Sequence, residues 1–139
     1  MSSPSLKPHG GKGLINRVLP EIERERLSLE KSYTISDADL SIFHRIADGT
    51  LSPLEGPMDS ETFNRVLDEE VIISEGRKYA WTIPVSFPVS SRDAEGYQRG
   101  ETVLVRSTDG TAVGTLEITD IFPFDKKRYN SSVYGTERE

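Results

Sequence analysis

The run His9-Gly10-Gly11-Lys12-Gly13 comes nearest to an anion cradle, because glycines free the backbone to turn its N–H groups toward a phosphate and a lysine adds charge. No strand precedes it, and neither the G-x-x-x-x-G-K-[ST] nor the G-x-G-x-x-G spacing is present, so a packing or flexible turn is the better reading. His9 and His44 are the two histidines of the chain and fall on different elements with no third ligand at metal spacing. His44 sits beside the apolar stripe Leu40, Phe43 and Ala47 and reads as a partly buried structural residue. Ser52, Ser60, Ser86, Ser90 and Ser91 offer hydroxyls, but no G-x-S-x-G elbow surrounds any of them. The carboxylates of Asp68-Glu69-Glu70 end a helical pattern and point in different directions, as a solvated face does rather than a metal site. Phe122, Phe124, Tyr129 and Tyr134 lie near Lys126, Lys127 and Arg128, a composition that suits stacking on nucleic acid. Asp125 and the acidic chain dilute any positive groove there, and the aromatics read as core plus a docking surface. No catalytic, cofactor-binding or metal-binding residue is assigned.

The elements that would position such residues belong to a chain of 139 residues, 35% hydrophobic and 29% charged. That length supports one domain with its own core. The absence of cysteine excludes disulfides, thiol catalysis, thiolate zinc sites and iron–sulfur clusters. No run approaches the roughly 18 apolar residues of a membrane helix, and no signal-peptide pattern opens the chain, so the cytoplasm is the expected location. A net charge of −6 argues against broad binding to a phosphate backbone.

Residues 1–7 read as a loose tail, followed by a helix over 20–31 opened by Pro20 and the acidic Glu21, Glu23 and Glu25. A short extended stretch, 33–35, leads to a second helix capped by Ser36 and closed by Gly49. Pro53, Gly56 and Pro57 make 51–58 a loop. Asp59 or Ser60 caps a third helix with Phe63, Val66 and Leu67 on one face. Strands are expected over 71–73, 80–85, 102–106 and 112–121, the last two joined by a hairpin turn at Asp109-Gly110, and a helical turn over 125–134. Helices followed by short strands give an α+β domain, pictured as a partly closed barrel flanked by N-terminal helices. Phe43, Val66, Leu67, Trp81, Val103 and Leu116 are the expected core.

Several phrases, taken in order, resemble the ATP sulfurylase (sulfate adenylyltransferase) family: Pro8-His9-Gly10-Gly11, Leu51-Ser52-Pro53-Leu54-Glu55-Gly56-Pro57-Met58, Trp81-Thr82-Ile83-Pro84-Val85, Ile121-Phe122-Pro123-Phe124-Asp125-Lys126 and Val133-Tyr134-Gly135-Thr136. The resemblance runs from Pro8 to Thr136 and is to that family's N-terminal domain. It implies a small PUA-like pseudo-barrel of short strands with N-terminal helices, which in the family precedes a larger catalytic domain. That domain joins ATP and sulfate, with magnesium, to give adenosine 5′-phosphosulfate and pyrophosphate in sulfate assimilation. Its Q-x-R-N-x-x-H-x-x-H-type region has no counterpart here, since Gln98-Arg99-Gly100 lacks the asparagine and both histidines. The expectation is therefore a single PUA-like domain over 1–139, with the catalytic domain absent, no cofactor held in this chain and no activity alone.

The partner implied is the catalytic domain, with self-association as a second outcome and no membrane. Leu54, Phe122, Phe124 and Tyr134 are the expected docking residues, because proline-broken segments cannot hide all their apolar side chains. The alternative is a free-standing PUA-like RNA-binding module. In-line attack of sulfate on a phosphorus needs cations and a metal gathered around two negative reactants, and this sequence gathers none. Calorimetry on the purified chain is expected to show no binding of ATP or sulfate tighter than about 100 μM; a tighter isotherm overturns the reading.

Overall fold

The structure, a computed structural model, describes residues 8–20 and 29–138. The loose tail over 1–7 and most of the helix expected over 20–31 lie outside the described residues, and Leu29 to Lys31 are not helical.

The order of elements is β1 (Ser32–Thr34), α1 (Asp37–Ala47), α2 (Ser60–Glu69), β2 (Val71–Ser74), β3 (Arg77–Ala80), α3 (Ser91–Ala94), β4 (Thr102–Arg106), β5 (Ala112–Glu117) and α4 (Lys126–Tyr134). Each long helix begins where a short polar side chain can accept from a free amide of the first turn. Ser36 accepts from Asp39 N, Asp59 from Thr62 N and Asp125 from Arg128 N.

The architecture is α+β. β4 is central in a three-stranded sheet, parallel to β1 and antiparallel to β5, and β2 and β3 form a separate antiparallel hairpin. The described strands thus make two small sheets that do not close on one another. Two apolar clusters fill the interior. One gathers Ile46, Leu54, Met58, Phe63, Val66, Ile72 and Val85; the other lies on the three-stranded sheet around Tyr33, Ile35, Val103 and Val105. Half-buried Phe87 packs against both. Of the expected core, Val66 and Val103 are fully buried, whereas Phe43, Leu67, Trp81 and Leu116 are half-buried around the clusters.

The strand expected over 80–85 is corrected to Arg77–Ala80. Glu75 and Gly76 both adopt positive φ, 48° and 74°, which is the backbone twist a two-residue hairpin demands, so β3 must start directly after them. Pro84 has no amide for a ladder, and 81–90 runs extended without strand partners. The Asp109-Gly110 hairpin is present as a wider loop closed by Ser107 N donating to Thr111 O at 2.9 Å. Gly110 takes positive φ, while Asp109 works through its carboxylate, which accepts from the Ser107 hydroxyl and Thr111 N. These bonds hold its carboxyl down at about 2. β5 ends at Glu117, earlier than the expected 121, because Asp120 is drawn to the start of α2.

The N-terminal segment lies as a strap over the 49–55 loop. Ile15 N donates to Ser52 Oγ at 3.0 Å, Ser52 Oγ donates to Gly49 O at 2.6 Å, and Arg17 binds both Ala47 O through its amide and Glu55 O through its guanidinium, at 2.7 Å each. Gly49 has φ +88°, and a Cβ there would meet Ile15 O at 2.1 Å. Backbone against backbone cannot yield as a side chain can. Gly49→Ala is therefore expected to cost at least about 1–2 kcal/mol from the left-handed conformation alone, lowering the melting temperature and exposing the segment before β1 to limited proteolysis. Unchanged melting and cleavage would show that the strap does not seat there.

Candidate functional site

The anion-cradle candidate is consumed in packing. His9 Nε2 lies 2.8 Å from Ala80 O, its ring edge-on to Tyr79 at 5.5 Å and tilted on Trp81 at 6.2 Å. Gly10, at φ +89°, lies so close to Pro53 that a Cβ would sit 2.3 Å from its ring, and Gly11 abuts the Tyr79 hydroxyl. Lys12 pairs with Glu55 at 3.4 Å. Gly10 and Gly11 are needed for close approach, and the lysine is engaged by a carboxylate.

The remaining chemical candidates disperse. His44 is exposed in the last turn of α1, not partly buried as expected, because it projects beside Phe43 rather than into the core. Asp68 pairs with Arg128 at 2.7 Å, Glu69 pairs with Lys78 at 2.5 Å, and Glu70 ends α2 in a left-handed conformation whose carbonyl accepts from Trp81 N. Among the described residues no group of three His, Asp or Glu could hold a metal ion, and no helix is long and apolar enough to cross a membrane. The basic run beside the aromatics is also partly spent, since Arg128 binds Asn64 and Asp68 and so fastens α4 to α2.

The expected docking residues divide. Leu54 is corrected to a core residue: the 51–58 loop turns inward, burying Ser52, Pro53, Leu54 and Met58. Phe122 is half-buried against Phe63 at 5.2 Å. Phe124 and Tyr134 keep 54% and 67% of their surface exposed and form the outer edge of an aromatic cluster centred on buried Phe63. Tyr129 links them, 5.3 Å from Phe124 and 6.0 Å from Tyr134, with its phenol pKa raised chiefly by burial. One end of this cluster is anchored in the core and the other faces outward, as an interface anchor requires.

Next to it opens an apolar cleft of about 870 Å³, walled by the extended 82–90 and 118–124 segments and floored by Tyr33, Val103 and Leu116. The Tyr33 hydroxyl donates to Pro88 O at 2.9 Å, and burial, with Asp39 and Tyr97 nearby, pushes its pKa up to about 12. Asp120 stands at the cleft edge. Its carboxylate, 10% exposed, accepts from Ser60 N at 2.8 Å, from Ile121 N at 2.9 Å and from Arg99 at 2.5 Å. Sequence spacing carries no signal for this clamp, because Asp120 meets an amide 60 residues away.

Residues 6–139 match the family model of the PUA-like domain. The chain is a PUA-like domain. Its relatives include the sulfate adenylyltransferase of Pyropia yezoensis, 40% identical over 94% of this chain and 31% of that protein. The sulfate adenylyltransferases of Synechococcus sp. (strain JA-3-3Ab) and Cenarchaeum symbiosum (strain A) are each 36% identical, over 100% and 99% of this chain and 35% and 34% of theirs. This PUA-like chain thus spans about a third of the length of the curated relatives it matches. Among solved structures, the hexameric APS kinase from Thiobacillus denitrificans shares the fold, with a TM-score of 0.70 and 24% identity over 85% of this chain and 24% of that one.

The Asp120 clamp gives a pH-dependent test. Hydrogen bonds from Ser60, foremost, and the Arg99 charge hold its carboxyl below the usual carboxylate range against the opposing effect of burial. A lowered folded-state value means that the contribution is complete above the ordinary carboxylate range and is lost as pH falls through the lowered value. Asp120→Ala is expected to cost roughly 1–3 kcal/mol at neutral pH and to flatten the acid limb of a melting-temperature profile. An identical acid limb would mean that the carboxylate is not a stabilising clamp.

Proposed function

We propose that this PUA-like domain is the N-terminal part of a sulfate adenylyltransferase and serves there as a structural docking domain. The observation that carries the reading is the match of essentially the whole chain to about a third of sulfate adenylyltransferases from an alga, a cyanobacterium and an archaeon. The nucleotidyl transfer between ATP and sulfate, with its magnesium, belongs in this reading to the remaining two thirds of such a protein. The residues described here fit that division of labour. His9, the Gly10-Gly11 turn, Lys12, Asp68 and Glu69 are engaged in packing or surface ion pairs rather than gathered around a common point.

The contribution of this chain is then to present a rigid face. Phe124 and Tyr134 are exposed aromatics held on a buried base by Phe63 and Tyr129, and the Arg128 clasp fixes the helix that bears Tyr134. Burying two such rings against a partner domain would stabilise the contact by roughly 1.5–3 kcal/mol each. The reading places the chain in the cytoplasm, in sulfate assimilation.

A chimera tests it. This chain is substituted for the corresponding third of the Pyropia yezoensis enzyme, and adenosine 5′-phosphosulfate formation is measured beside melting temperature. The expected result is activity above that of an enzyme lacking the segment, reduced several-fold in the Phe124→Ser/Tyr134→Ser double variant, whose exposed changes leave the isolated chain folded. A chimera no better than the deletion, or one indifferent to the double variant, overturns the docking role.

A further inference from the structure

We propose that the cleft between the 82–90 and 118–124 segments binds an extended peptide of another protein, apolar at alternate positions and carrying a lysine or arginine at one end. The proposal does not depend on the assignment of the parent enzyme.

The two walls point to the shape of the ligand. Both are extended, and neither joins a sheet. On the first wall, Val85 exchanges contacts with Met58, while Ile83 O accepts from the Trp81 indole and Pro88 O from Tyr33. The amides of Ser86, Phe87 and Val89 and the carbonyls of Pro84, Ser86, Phe87 and Val89 have no partner among the described residues. On the second wall, Ile118 is paired with Gly100 and Glu101, and Ile121 N with Asp120. There the amides of Thr119, Phe122 and Phe124 and the carbonyls of Thr119, Ile121 and Phe122 are likewise without a partner among the described residues. Pro84, Pro88 and Pro123 lack amides and explain why neither wall extends the existing ladders. Backbone donors and acceptors along a half-buried slot are what an added strand satisfies, its main chain giving affinity and its alternate side chains entering the apolar floor.

Charge settles which peptide. The cleft is lined by Asp39, Glu117 and Asp120 and by no lysine or arginine among the described residues. Asp120 is answered by Arg99, but Glu117 has no partner among the described residues, and the Asp39 carboxylate accepts only the Ser36 hydroxyl, while its amide donates back to Ser36 Oγ. An entering cation finds two carboxylates among the lining residues, and an entering anion finds repulsion. A cleft of about 870 Å³ falls in the range of ligand sites.

The test uses the purified chain and a defined probe, the blocked peptide acetyl-Lys-Val-Thr-Val-Thr-Val-amide, followed by nuclear magnetic resonance of backbone amides. Saturable binding with a dissociation constant below about 1 mM is expected, with shifts concentrated at Ser86, Phe87, Val89, Thr119 and Phe122. Methylating alternate peptide nitrogens keeps the side chains but removes donors, and is expected to weaken binding at least about tenfold. The exposed Glu117→Lys change is expected to reverse the preference between the lysine probe and its glutamate counterpart. No saturable shifts, equal binding of the methylated peptide, shifts confined to other surfaces, or an unaltered preference in Glu117→Lys would each overturn the proposal.

Discussion

The carboxylate of Asp120 ties the two halves of the domain together. It leaves the end of the three-stranded sheet and takes up the first amide of α2, whose buried face belongs to the other apolar cluster. Arg99 covers it from the sheet side. Besides that bond the two clusters are joined by α1, which gives Ile42 and Ile46 to one and Leu40 and Phe43 to the other, and by the ring of Phe87, since no ladder connects the β2–β3 hairpin to the sheet. A small domain with a divided core depends on such a polar link more than one with a single continuous interior, because each cluster alone buries too little apolar surface to offset the chain entropy.

Helices α1, α2 and α4 were legible because their signals are local, whereas the single turn of α3 was not read. Ser36 and Asp59 are short acceptors placed directly before apolar residues at helical spacing, and Phe63 and Val66 fall on one face for the same reason. β4 and the hairpin to β5 were legible from β-branched runs around a turn. The β2–β3 hairpin was misread because Arg77 and Lys78 are charged and exposed, so nothing in their polarity marks a strand; the turn at Glu75-Gly76 defines it. The inward turn of the 51–58 loop was hidden for a different reason. Leu54 and Met58 look exposed in a proline-broken stretch. It is Ile46, Phe63, Val66, Ile72 and Val85, brought in from elements distant in the chain, that bury them, while Ile15 and Arg17 hold the loop from outside at Ser52 and Glu55.

The candidate site was half legible. Phe122, Phe124 and Tyr134 stand out as aromatics in a segment too irregular to bury them, and the two exposed ones remain at the surface. The cleft beside them could not be read, because it exists only where segments some thirty residues apart come to face each other, and each segment alone reads as an ordinary proline-rich connection. Backbone pairing left unmade has no side-chain signature.

The chain contains a single tryptophan, and Trp81 sits where the strap lands. Its indole N–H is fixed on Ile83 O, its backbone amide on the end of α2, and its ring lies beside His9. The domain therefore carries an intrinsic optical reporter. Lifting the segment around His9 would change the polarity next to the indole without unfolding either cluster, so emission from one residue distinguishes detachment of the N-terminal arm from melting of the body.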